Sequence, residues 1–453
     1  MTTRTRTRQA PPPSRLNAVS IIGDVIAVAI GLGGSFTVHL VGELPVAEVG
    51  LTFLLPILIV LRGRRLHRPR LKVVFYLIGL WLFGQVLTDL YRRPPARDWM
   101  RGDAGIIFFA IDLVCIAVLL GRNEGRKVKF IAAFAIGSLL AARYQPIDLY
   151  DSDPWKFGYS YGANLFVVLV SCYFYRRRQY VMVGILLAGM MGASLIDNYR
   201  GPILGLLLTI VLVIPVIPEQ IGRLRILPRT GSASRVAVLA GLVFFASWSA
   251  SGILHLASSF GLLGEEAQNK NEVQAKAKGG LLLGGRPEIL VSSRAVLDSP
   301  ILGHGSGAKD QKYVEMLNDL QAEYGAPVNL SYATKVGGGL IPTHSHLMGA
   351  WVQAGILGAI LWFYLFFLAV KGIIRASSVR PALAPIIVFI LTGLLWDILF
   401  SPFSNTRRVM VSMAIVIILD LLDFRVAVSK GPERTFRRRP VGRPYLRPTL
   451  RPR

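Results

Sequence analysis

Apolar residues in this chain run in blocks of about 15 to 23, set apart by short basic segments. A helix of that length crosses the ~30 Å hydrocarbon layer of a bilayer. Twelve blocks can be marked: 18–40, 45–61, 73–90, 104–121, 128–142, 161–175, 180–197, 202–217, 236–257, 346–370, 382–400 and 408–424. The pattern predicts an all-α polytopic membrane protein with about 12 transmembrane helices. One long stretch interrupts the series. Residues 258–343 mix short apolar runs with charge and glycine, and predict a large, partly helical loop between the ninth and tenth spans. Inside it, segment 308–324 places Tyr313, Met316, Leu317 and Leu320 at helical spacing. The organisation that follows is a basic tail at 1–17, nine spans over 18–257, the loop at 258–343, three spans over 344–424, and an Arg- and Pro-rich tail at 425–453. The last tail has too little apolar content to fold and suits the anionic face of a membrane.

Composition agrees with this reading. Hydrophobic residues make up 53% of the 453, too many for an ordinary soluble chain. The net charge of +25 would suggest nucleic acid in a soluble protein, but here the basic residues sit between apolar blocks and in the tails. Segments 62–72, 122–129, 176–178, 223–235, 371–380 and both tails hold about two thirds of all Lys and Arg. They share one side of an alternating twelve-span arrangement, and the positive-inside rule makes that side cytoplasmic, with both termini inside. The opposite side then carries 91–103, 143–160 with Asp148, Asp151 and Asp153, the turn 197–201, and the long loop. Trp81, Trp99, Trp155, Trp351 and Trp396 fall near expected span ends, as interfacial anchors do. Cys115 and Cys172 lie inside apolar blocks and read as packing residues. The basic N-terminus lacks an obvious cleavage site and reads as a tail ahead of a retained first helix. The two halves show no internal repeat, which weakens the case for a transporter built from duplicated bundles.

Candidate chemistry gathers on the outer side. His344 and His346 stand where the long loop enters the tenth span. They read as a polar pair at a helix start, or as a general base with a near-neutral imidazole; no Cys or HxxxH partner supports a metal site. Arg200 lies between two apolar blocks, and Arg286 and Arg294 lie in the loop. Each is either an arginine reaching for the interface or a planar fork for phosphate oxygens. Gly303 and Gly305, in Gly-His-Gly-Ser-Gly, could bring backbone amides to an oxyanion. Arg92, Arg93, Arg97 and Arg101 add positive charge on the side where the topology rule disfavours it. Asp24, Asp112 and Asp397 fall within apolar spans, where a carboxylate is costly and often functional. Asp397 is placed to orient His344 or to pair with Arg407 or Arg408, and Asp112 to hydrogen-bond a neighbouring helix. Asp151-Ser152-Asp153 sits in an acidic surface stretch and makes a poor metal site.

Three segments in this order resemble the O-antigen ligase and O-antigen polymerase family of bacterial membrane glycosyltransferases. Arg200-Gly-Pro-Ile-Leu204 is similar to the family's arginine followed four residues later by leucine at a span start. Arg286-Pro-Glu-Ile-Leu, with Pro300-Ile-Leu-Gly-His-Gly305 after it, is similar to the family's loop arginine and its proline–glycine turn. His344-Ser345, nine residues, then Gly355-Ile-Leu-Gly358 matches the family's histidine and paired-glycine pattern without a gap. A second histidine at 346, Gln353 and Ala354 depart from it.

The resemblance implies transfer of a glycan from undecaprenyl diphosphate to a hydroxyl acceptor, lipid A-core for a ligase, at the periplasmic face of the bacterial cytoplasmic membrane. It implies His344 as general base, Arg200 and Arg286 as ligands of the donor diphosphate, and neither metal nor cofactor. Arg92, Arg93, Arg294, His346, Asp397, Gly303 and Gly305 are supporting candidates. A polymerase of the same family uses the same donor chemistry with a different acceptor. A lipid transporter or flippase would instead spread its arginines through the bilayer.

Overall fold

The structure is a computed structural model that describes residues 14–39, 43–145, 153–196, 199–214, 286–323 and 338–429. Among the described residues, five helices are long and apolar enough to cross a membrane, and four shorter apolar helices accompany them. The described chain begins with α1 (Ser14–Gly33) and a small antiparallel hairpin of β1 (Thr37–His39) and β2 (Glu43–Pro45), in which Val38 faces Leu44. Helices α2 (Val46–Arg62), α3 (Pro69–Arg92), α4 (Ala96–Leu120) and α5 (Glu124–Tyr144) follow. A π-helical turn at Pro154–Tyr159 leads into α6 (Ser160–Arg176), then α7 (Tyr180–Ile196) and α8 (Arg200–Val213). Two loop helices, α9 (Glu288–Asp298) and α10 (Gln311–Glu323), precede α11 (His346–Val379), α12 (Ala384–Phe400) and α13 (Asn405–Ser429). The expected ninth span at 236–257, most of the loop, the tail at 1–13 and the tail from 430 lie outside the described residues.

Two expectations change. The first span does not run to residue 40: α1 stops at Gly33 and the chain turns into the hairpin. Close packing requires glycine just past the stop, since a Cβ at Gly34 would sit 2.5 Å from the Phe134 ring of α5. Trp81 is not an interfacial anchor. It is 5% exposed and packs edge-on to Trp362, with ring centroids 5.7 Å apart.

One continuous apolar core joins the long helices, with α1 against α5, α3 against α11, α4 against α13, and α12 against α8 and α11. Cys115 and Cys172 are both buried in it. Several charges pair between helices. Arg68 and Lys127 both pair with Asp420, Arg70 with Asp423, and Arg126 with Asp24 at 2.8 Å. Basic segments 62–72 and 122–129 therefore meet at one end of the bundle, as an alternating topology requires.

A second, smaller core lies at the other end. Val291, Ala295 and Val296 of α9, Tyr313 and Leu317 of α10, Ile341, and Val352 of α11 pack together. The helical spacing of Tyr313, Met316, Leu317 and Leu320 forms α10 as expected, and its apolar face covers α9. The two loop helices thus form a cap seated on the first turns of α11.

Candidate functional site

The start of α11 is built to a fixed geometry. Ser345 caps it: the hydroxyl accepts from Met348 N at 3.0 Å and donates to Ile398 O at 2.7 Å, tying the helix start to α12. The helix then breaks at Gly355, whose φ of 65° and ψ of −159° suit glycine alone. The break exposes carbonyls that the loop satisfies. His304 N donates to Val352 O at 2.7 Å, and Gly305 N donates to Gln353 O at 3.0 Å. The spacing between His344 and Gly355 is therefore the length of one short capped helix, locked at both ends.

The loop turn is held from below by α3. Asp89 accepts from Ser306 N and from Ser306 Oγ, both at 2.6 Å, and Gln85 Nε2 donates to Ser306 Oγ at 2.7 Å. Arg92 donates to Gly303 O from Nε at 3.1 Å and from Nη2 at 2.9 Å, and to Ser299 Oγ at 2.9 Å. Asp89→Ala strands two buried donors, each worth about 1–3 kcal/mol when left unpaired. Thermal unfolding of the purified variant should show a clear loss of stability, and an unchanged midpoint would remove this clamp from the account.

Beside this frame, five other parts of the chain bring charged and phenolic groups into one electrostatic neighbourhood with His344. The half-buried imidazole is pushed down to about 4 by burial, then by the charges of Arg286 at the entry to α9 and of Arg407 in the first turn of α13. It is neutral at ordinary pH and free to accept a proton. Arg407 pairs with Asp397, in the last turn of α12. Tyr199, just before α8, lies in the fields of Arg407, Asp397, Arg286 and Asp153, and burial pushes its phenol up. Tyr161, at the start of α6, is also within electrostatic reach of Arg407. Glu288, two residues from Arg286, is buried with Oε2 unpartnered among the described residues, and desolvation pushes its carboxyl up. A cleft of about 240 Å³ is lined by Gly307, Ala308, Leu340, Ile341, Val352, Gln353 and Thr343, the residue before His344.

The remaining candidates lie elsewhere. His346 is fully buried, with Nδ1 2.6 Å from Ser401 O and its ring packed on Trp362 and Phe403, so it is a core residue and not a helper at the rim. Arg92 clamps the loop turn, Arg93 ends α3 in the left-handed region, and Arg294 pairs with Asp298 at 3.1 Å. Gly303 and Gly305 have φ of 79° and 92°, but both amides are used inside the protein, on Ser299 O and Gln353 O, so neither is left to cradle an oxyanion. The backbone of Arg200 opens α8 beside Tyr199; its side chain lies outside the described residues, as do Asp148 and Asp151. Among the described residues, no three His, Cys, Asp or Glu side chains group as metal ligands.

Neither a protein-family model nor a curated protein matches the chain. Sequence reasoning had not placed Arg407 beside His344, nor Tyr199 in the fields of Arg407 and Arg286. The Arg407-Arg408 pair, set between two apolar blocks, was the available signal for the first.

Proposed function

We propose that this chain is a membrane glycosyltransferase of the O-antigen ligase type, moving a glycan from undecaprenyl diphosphate to a hydroxyl acceptor at the outer rim of the membrane. What supports it best is the half-buried imidazole of His344 lying in the fields of two cationic groups, Arg286 and Arg407. In this reading His344 removes the acceptor's hydroxyl proton while that oxygen attacks the anomeric carbon. The bond to the diphosphate oxygen breaks, and Arg286 and Arg407 stabilise the negative charge that grows on the departing lipid diphosphate. Arg200, opening α8 next to Tyr199, is assigned to the same diphosphate. The cleft beside Thr343 holds the acceptor. A donor that is already a good leaving group does not need a metal to activate it.

Arg286→Ala and Arg200→Ala are each expected to weaken donor binding about 10- to 100-fold, the effect of losing a charge-assisted hydrogen bond. Equilibrium binding of a lipid diphosphate tests this, and unchanged affinity in both variants would sink the clamp. The reaction itself is tested by reconstituting the full chain with a lipid-linked glycan and candidate acceptors, with and without chelator. Product on lipid A-core names a ligase, and product on a second lipid-linked glycan names a polymerase. No transfer to either acceptor refutes the reading, and loss of activity with chelator refutes its metal-free form.

A further inference from the structure

Away from His344, three ionisable side chains from three helices meet inside the bundle. Glu48 in the first turn of α2 and Asp112 in α4 are fully buried, and Arg408 in the first turn of α13 is 7% exposed. Arg408 Nε and Nη2 each donate to one carboxylate oxygen of Glu48, both at 2.7 Å. Neither oxygen of Asp112 has a donor among the described residues, and its carboxyl lies within hydrogen-bond range of the Glu48 carboxyl.

Charge counting then sets a requirement. Two carboxylates and one guanidinium leave one uncompensated negative charge in an apolar interior, with two like charges in contact. Arg408 is the cation whose field acts on Asp112, and the nearest cations of α3, α5 and α13 are engaged elsewhere. On α5, Arg126 and Lys129 hold Asp24, and Lys127 holds Asp420. On α13, Arg407 holds Asp397, and on α3, Arg92 is engaged with Gly303 and Ser299 while Asp89 is engaged with Ser306. Cys115, one turn along α4, gives its thiol hydrogen to Leu51 O, and His346 is bonded to Ser401 O. A metal cation would need several oxygen ligands, and among the described residues no three His, Cys, Asp or Glu side chains group here.

We propose that Glu48 and Asp112 share one proton, so that the Glu48–Asp112–Arg408 cluster is a proton-binding site buried among α2, α4 and α13. The proton turns a repulsive contact into a hydrogen bond and makes the cluster neutral. It also fixes the first turn of α13, where the preceding residue, Arg407, pairs with Asp397. The assignment stands independently of the transferase reading.

Infrared spectroscopy of the full chain in lipid nanodiscs tests it. At neutral pH the wild type should show the carbonyl stretch of a protonated carboxylic acid, unchanged when sodium is added. Asp112→Asn and Glu48→Gln should each remove that band, since the carboxylate that remains balances Arg408 without a proton. Isotope-labelled aspartate and glutamate in the wild type should shift the band, which keeps the test decisive if either variant fails to fold. A band that is absent, insensitive to both labels, or discharged by sodium would overturn the proposal.

Discussion

His344→Ala is expected to lower turnover about 10²- to 10⁴-fold, the usual contribution of a positioned base, while donor binding stays within twofold of wild type. The separation follows from the proposed division of roles, in which Arg286 and Arg407 bind the diphosphate and His344 takes the proton. The pH dependence carries the same information. With its pKa pushed down to about 4, His344 is protonated only well below the usual histidine range of ~6.5. The acid limb of kcat/KM, which reports the free enzyme, should therefore inflect near 4. A bound diphosphate cancels part of the arginine charge, so the inflection in kcat should move to higher pH than that in kcat/KM. Between the folded value of about 4 and the unfolded value of ~6.5, the unfolded chain holds the extra proton, so His344 makes stability rise with pH in that window. Lost donor binding in His344→Ala, full activity, or acid limbs that coincide would each count against the base.

Much of this site was legible in the sequence, because motif spacing encodes local geometry. The nine residues between Ser345 and Gly355 are one short helix with a side-chain cap at one end and a glycine break at the other. What was not legible came from packing partners far apart in the chain. Hydropathy placed the fifth span at 128–142, while α5 begins at Glu124, because Arg126 and Lys127 are buried against Asp24 and Asp420 from other helices. The last span was expected to begin at residue 408, while α13 begins at Asn405 and carries Arg407 and Arg408 in its first turn, paired to Asp397 and Glu48. Burial of an arginine reads as a helix end in a hydropathy profile and as a helix interior once its carboxylate partner is known. His346 misled in the opposite sense. Adjacency to His344 suggested a shared role, but residues two apart on either side of a cap point different ways, and His346 entered the aromatic core.

The largest structural effect is expected at Gly355. Gly355→Ala forces a side chain onto φ of 65° and ψ of −159°, a conformation costing of order 1–3 kcal/mol for any other residue. Its Cβ would also lie 1.8 Å from Ile301 O, a backbone atom that no side-chain rotation can move aside. The short helix and the loop turn must separate, and the bonds from His304 N to Val352 O and from Gly305 N to Gln353 O go with them. The total should reach roughly 3 kcal/mol or more, large for a single methyl group. Gly349→Ala is the matched control on the same short helix, because its Cβ meets nothing closer than Thr343 Oγ1 at 3.7 Å. Thermal unfolding should place Gly355→Ala well below wild type and Gly349→Ala beside it, with hydrogen exchange rising at 299–305 in the first variant alone. His344→Ala should then lose transfer at full stability, and Gly355→Ala should lose both. A Gly355→Ala protein with wild-type stability and protection would mean that the kink does not hold the loop, and that His344 is positioned by something else.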